Sequence, residues 1–181
     1  MSDYGKGSCF WQKSGTDRGE TKEIIKSVSP LCLELANEVL DQAEEEFGKV
    51  DRSILFTMAD HLDFAVRRIQ NGEQISNPLT DDIRIMFYKE YKVAGCIRDL
   101  LKEKLGIRID EHEIGYIALH VHAAIVDENV SQAMEIARTV RECICMVEEE
   151  TGKSIDVMSL SYNRLMNHVR YMVPEPFMGK S

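Results

Sequence analysis

The chain has 181 residues, 31 of them acidic against 22 Lys and Arg, for a net charge of -9. That length suits one domain, or one domain and part of another, with enough chain to bury a real core, and the acidic balance argues against a polyanion such as RNA as a partner for the whole surface. No apolar run approaches a membrane span of about 20 residues, the N-terminus lacks the apolar segment of a secretory signal, and five cysteines without zinc-site spacing fit reduced thiols; a soluble cytoplasmic protein without membrane contact is expected.

Residues 1–30 carry Gly5, Gly7, Gly15 and Gly19 among Ser, Asp and Lys with little periodicity. They read as a flexible tail with at most a short helix near Glu23–Ser27. Cys9, Phe10 and Trp11 read as an incidental apolar cluster in that tail rather than a docking peptide. Order begins at Pro30, a good first-turn residue after Ser29. Leu33, Ala36, Leu40, Ala43 and Phe47 then predict a helix over 31–47, with Gly48 as its C-cap.

A second helix fits 52–70, with Leu55, Met58, Leu62, Ala65, Val66 and Ile69 as its stripe and Asn71-Gly72 as its stop. His61 lies about 100° from the centre of that stripe. Asn77-Pro78 marks a turn. A long helix fits 81–105, with Ile83, Phe87, Ala94, Ile97 and Leu101 inward and Gly106 as its cap. Asp110 and Glu113 have capping-box spacing, with Ile109 and Ile114 able to form the staple. The fourth helix, over 112–127, places Ile114, Ile117, Ala118, Val121 and Ile125 on one side. His120 falls about 120° from the centre of that stripe and His122 about 80° away on the other side. His120 is therefore expected at a rim, offset in the same sense as His61.

The remainder repeats the beginning. Met134-Glu-Ile-Ala-Arg-Thr-Val echoes Leu33-Glu-Leu-Ala-Asn-Glu-Val, and the Gly-Lys pairs at 48–49 and 152–153 are 104 residues apart. The stretch from Tyr162 to Tyr171 echoes the helix around His61 at an offset of 107, which puts His168 at the His61 position. Helices are predicted over 131–150 and 158–172, with stripes Ile136, Ala137, Val140, Ile144, Val147 and Leu160, Leu165, Val169, Met172. With no sustained period-2 stretch, the fold class is all-α, an antiparallel helical bundle. The organisation is a tail (1–30), a complete helical module (31–130), a partial second repeat of two helices (131–173) and a tail (174–181). An apolar stripe on an incomplete repeat invites a partner, either the first module or another chain, so a homodimer is expected.

Four stretches in order resemble the PTS regulation domain (PRD), an all-α module of antiterminators and activators of bacterial sugar operons. They are Asp60-His61-Leu-Asp-Phe-Ala-Val-Arg-Arg-Ile69, Gly72…Ile75-Ser-Asn-Pro-Leu79, Phe87-Tyr-Lys-Glu-Tyr91 and Glu113-Ile-Gly-Tyr-Ile-Ala-Leu-His120. The resemblance implies that His61 and His120 accept phosphoryl groups from the sugar phosphotransferase system, with HPr or enzyme IIB as donor. It implies supporting roles for Asp60 and Arg68 and makes His168 a possible additional phosphoacceptor. The family's antiterminators begin with a small RNA-binding domain that finds no match in the tail, so no direct nucleic acid binding is expected of this chain. The expected function is a phosphorylation-responsive regulatory module, not an enzyme, that converts the modification into a change of dimerisation or partner binding.

The residues allow that chemistry. A neutral imidazole is nucleophilic at one nitrogen while the other donates a hydrogen bond that fixes the tautomer, and phosphoryl transfer needs in-line access, which suits a half-exposed histidine. Asp60 is placed to orient an imidazole. Arg68, about two turns after His61, can meet a phosphate or a carboxylate in the resting state. If the two helices lie side by side, His61 and His120 share one depression with Asp60 and Arg68 at its edge. A metal site from His112, His120 and His122 is disfavoured, because on a helix His120 and His122 diverge by about 160°. No metal and no cofactor are expected, and no nucleophile–base pair or phosphate loop points to an enzyme. The rival reading is a structural helical dimerisation module with silent histidines; His112 and His122 are read as packing histidines in any case.

Overall fold

The computed structural model describes residues 27–172. The expectations for a tail up to residue 26, for the Cys9-Phe10-Trp11 cluster and for the segment from Val173 onward lie outside those residues. Helices follow one another as α1 (Pro30–Phe47), α2 (Ile54–Gln70), α3 (Thr80–Met86), α4 (Tyr88–Ala94), α5 (Cys96–Leu105), α6 (Glu111–Ile125), α7 (Val130–Thr151) and α8 (Leu160–Met172). No strand occurs among the described residues, and the fold is all-α.

Each helix starts or stops where local chemistry dictates. Pro30 occupies the first turn of α1, where its missing N–H costs nothing. α5 ends at Gly106 and α7 at Gly152, both left-handed at φ 64° and 63°, a backbone that a side chain resists. α7 opens with a reciprocal capping box between Asn129 and Gln132 that the sequence reading passed over.

The expected long helix over 81–105 is three helices. The chain leaves helical geometry at Phe87 (φ -115°, ψ 47°) and its ladder is interrupted again at Gly95. The apolar residues predicted to face inward are all buried, but they serve two different interiors. Leu79, Ile83, Met86 and Phe87 point into one core, and Ala94, Ile97 and Leu101 into another. A straight helix would carry both sets along one line; the breaks re-aim them.

The first core is built from α1, α2, α4, α5 and the Ile114, Ile117, Ala118, Val121 side of α6. The buried face of α1 is Cys32, Leu35, Ala36, Val39, Leu40 and Ala43, a slight rotation from the expected stripe that leaves Leu33 and Phe47 partly covered. The second core joins α3 and Phe87 to α7, α8 and Leu119 from the other side of α6. α6 is thus covered on both sides, as its nearly continuous apolar sequence requires.

The repeat helices α7 and α8 fold back onto the first module. Ala133, Ala137, Val140 and Ile144 are buried on α7, Tyr162 and Met166 on α8. The α8 stripe expected from the sequence is corrected here: Leu165 and Val169 are only partly covered, and Leu160 and Met172 are 65% and 67% exposed. Polar bonds turn the helix toward Tyr162 instead. Asp82 of α3 is 1% exposed, accepts three hydrogen bonds from Arg141 of α7 at 2.7 to 3.1 Å, and accepts a further short one from the Tyr162 hydroxyl. Arg170 of α8 donates to the Met86 carbonyl at 3.3 Å and lies 5.2 Å above the Phe87 ring.

Candidate functional site

The site forms where α2 crosses the N-terminal half of α6. Asp110 caps α6 by accepting from the Glu113 backbone N–H at 3.0 Å. A full capping box would send the Glu113 side chain back to the cap; it goes instead to α2. Its Oε2 lies 3.0 Å from His61 Nε2 and its Oε1 accepts from Arg68 at 2.7 Å. Seven residues separate His61 from Arg68, about two helical turns, so both reach one carboxylate from the same helix face.

Glu113 is 2% exposed, a setting in which burial alone would raise its pKa. The hydrogen bonds from His61 and Arg68 outweigh burial and hold the carboxyl below the usual glutamate range. Arg68 has one donor to spare: its Nε is buried and meets no acceptor among the described residues.

His120 joins the cluster from two turns further along α6 than Glu113. Its ring centroid stands 5.4 Å from that of His61, and Tyr116 lies 5.4 Å from His61 on the same helix. The two histidines are not equivalent. The His61 side chain is 20% exposed, whereas His120 is 7% exposed as a residue. The expectation of a rim position for His120 is thus corrected, because the wheel assumed solvent beyond the first core and the second core lies there instead. Burial, then the charge of nearby His61, pushes the His120 pKa down to about 4, against a hydrogen bond to the Tyr116 carbonyl at 2.8 Å. His120 is a neutral imidazole at neutral pH.

The other residues singled out in the sequence fall elsewhere. Burial and the neighbouring Asp63 push the Asp60 carboxyl upward, against the nearby His61, and the carboxylate bonded to the His61 ring is that of Glu113. His168 is exposed on α8, and no bond among the described residues joins it to the cluster. His112 anchors the loop before α3, its Nδ1 accepting from the Asn77 N–H at 3.1 Å. His122 is buried between two carboxylates, with Nδ1 2.9 Å from Glu90 and Nε2 3.0 Å from Glu128. No group of three or more His, Cys, Asp or Glu side chains among the described residues is arranged to hold a metal ion.

Glu113 is the residue that sequence reasoning misassigned, since capping accounted for it completely. A signal existed: Glu113 stands seven residues before His120, mirroring the seven from His61 to Arg68. α2 carries a histidine and an arginine two turns apart, α6 a glutamate and a histidine, and the two pairs meet where the helices cross.

Residues 34–124 match the PRD domain. The chain belongs to the PRD family. It is 26% identical over 193 aligned positions to the transcription antiterminator LicT of Bacillus subtilis, covering 97% of this chain and 70% of LicT. That coverage reaches into the stretch before α1, which the sequence reading left unmatched. The β-glucoside operon antiterminator of Dickeya chrysanthemi is 25% identical over 163 positions, covering 90% of this chain and 58% of that protein. The PtsGHI operon antiterminator of Bacillus subtilis is 29% identical over 110 positions, with 61% and 39% covered. The crystal structure of GlcT CAT-PRDI superposes with a TM-score of 0.55 at 29% identity, over 59% of this chain and 64% of that one. The PRD match spans α1 to α6, and α7 and α8 follow it. No helix among the described residues is long and apolar enough to cross a membrane.

Proposed function

We propose that this PRD protein is a phosphorylation-responsive regulator of sugar-operon transcription, whose His61 and His120 accept phosphoryl groups from HPr or an enzyme IIB. The observation that carries the reading is a partly exposed histidine beside a neutral one, in contact with a carboxylate–arginine pair. The antiterminator names of the relatives support the transcriptional role, and the PtsGHI relative supports the link to the phosphotransferase system. In the resting state Glu113 occupies Arg68. A dianionic phosphoryl group on His61 offers Arg68 a second acceptor beside Glu113, including for its unused Nε. The charge change falls at the N-terminal turns of α6, the helix shared by both cores.

The change in partner binding belongs to the same proposal. The expected reason for a homodimer, a bare stripe on the repeat, is met largely within the chain, since α7 and α8 pack on the first module. Exposed Met146, Met158, Leu160, Tyr171 and Met172 still support association with a second copy. Coupling of about 1–3 kcal/mol between phosphorylation and assembly would change occupancy many-fold.

Incubation with phosphoenolpyruvate, enzyme I and HPr, with and without an enzyme IIB, tests the reading. Acid-labile, base-stable label is expected. His61→Ala and His120→Ala each remove part of it, and the double variant nearly all. The burial of His120 favours a second reading, a structural helical module with silent histidines. Full labelling of the double variant, or none of the wild type with competent donors, sinks the site assignment; only the second outcome brings that second reading forward.

A further inference from the structure

The two clustered imidazoles differ in which ring nitrogen each leaves bare. A carboxylate and a backbone carbonyl can only accept hydrogen bonds. His61 Nε2 must therefore carry the proton that it gives to Glu113 at 3.0 Å, and His120 Nδ1 the proton that it gives to the Tyr116 carbonyl at 2.8 Å. Each ring, when neutral, has one proton, so His61 keeps its lone pair on Nδ1 and His120 on Nε2. Glu113 is secured in this role from its other oxygen, which Arg68 holds at 2.7 Å.

We propose that Glu113 is a positioning residue that makes Nδ1 of His61 the atom that receives a phosphoryl group, while the Tyr116 carbonyl leaves Nε2 of His120 for the same purpose, so that the pair is modified on opposite ring nitrogens. The inference rests on the reading of His61 and His120 as phosphoacceptors and specifies its chemistry. On transfer to His61 the donor's bond to phosphorus breaks with its electron pair going to the leaving group, and the Nδ1 lone pair forms the new N–P bond. The Nε2 proton stays in its bond to Glu113. The ring turns cationic against an anion already in place, and no base has to remove a proton.

An isosteric change separates positioning from mere packing. Arg68 is a donor only, so in Glu113→Gln it must take the amide oxygen, which turns the amide nitrogen toward His61. That nitrogen donates, so His61 Nε2 has to become the acceptor and the proton moves to Nδ1. Two-bond proton–nitrogen correlation spectra of the unmodified full chain are the first readout. Wild type is expected to show Nε2–H at His61 and Nδ1–H at His120; Glu113→Gln inverts His61 and leaves His120 as it was. Treatment with phosphoramidate followed by isomer-specific phosphohistidine detection is the second. The label on His61 is expected on Nδ1 in wild type and to shift predominantly to Nε2 in Glu113→Gln. Wild-type His61 protonated on Nδ1, or a Glu113→Gln protein whose tautomer and label stay unchanged, overturns the positioning role. Expected tautomers with no label on His61 from phosphoramidate or from HPr overturn the phosphoacceptor reading itself, and the atom assignment with it.

Discussion

Asp82 and Arg141 are 59 residues apart in the chain and joined by three hydrogen bonds in the interior. The pair holds the repeat helices to the first module. Breaking a buried pair leaves one charge without its partner, which costs about 3–5 kcal/mol; Arg141 retains 24% exposure, so the lower end applies. Asp82→Ala is expected to destabilise by about 3 kcal/mol. Hydrogen exchange should rise first in α7 and α8, with the α1, α2 and α5 amides still protected. A uniform rise across all helices would show that the two cores open together.

Tyr162 offers a gentler cut at the same point. Its burial, its hydrogen bond to Asp82 and the negative charge there raise the phenol pKa well above that of free tyrosine, so the hydroxyl remains a donor throughout the working pH range. Tyr162→Phe keeps the ring and deletes that donor, for an expected loss of about 1–2 kcal/mol in denaturant titration. A double-mutant cycle with Arg141→Ala should give a non-zero coupling, because both side chains use one carboxylate.

Removing Glu113 should be costlier than removing Arg68. Glu113→Ala leaves His61 without its acceptor and a half-buried guanidinium without its counter-ion, for an expected loss of about 3 kcal/mol. Arg68→Ala leaves Glu113 one partner, His61, and the loss is expected to be smaller. Chemical denaturation of both variants at neutral pH checks the order, which reverses if His61 contributes nothing to holding the carboxylate.

His120 gives the protein an acid-side slope. Its folded pKa is lowered from 6.5 to about 4, so between those values the unfolded chain binds a proton that the folded one refuses. Stability is therefore unaffected above that window and falls as pH drops from 6.5 toward 4, by up to about 3 kcal/mol. Glu113 and Glu90, both depressed, add losses only below the pH at which free glutamate titrates. His120→Gln should flatten the profile between pH 6.5 and about 4 and leave the part below that in place. Stability of both proteins across the acid range tests this, and parallel curves would refute it.

Much of this arrangement was legible in the sequence because it is periodic. The phase of most stripes placed helices within a few residues, α7 and α8 among them, and matched offsets singled out His61 and His120. The breaks at Phe87 and Gly95 were not legible, since a helix interrupted for one residue keeps its apolar spacing on both sides. The burial of His120 was hidden for a related reason: a helical wheel gives the angle to one core and cannot register a second core arriving on the far side. Asp82 gave no signal of its own in the sequence, and the capping-box spacing with Asp110 accounted for Glu113. What they bind lies 59 and 80 residues from Asp82 and 45 and 52 from Glu113, and only the packed fold brings it there.

The second core has a consequence for assembly. Leu119, Ile83 and Phe87 belong to the PRD, yet what keeps water from them is a hairpin of the following repeat. That cover is tethered through the short stretch between Ile125 and Val130, and a short tether gives an effective concentration of order millimolar. Any untethered protein seeking the same surface, another copy of this chain included, has to outbid a competitor that never diffuses away. Release of the hairpin and capture of a partner are thus two sides of one mass-action balance, tilted as readily by abundance as by affinity.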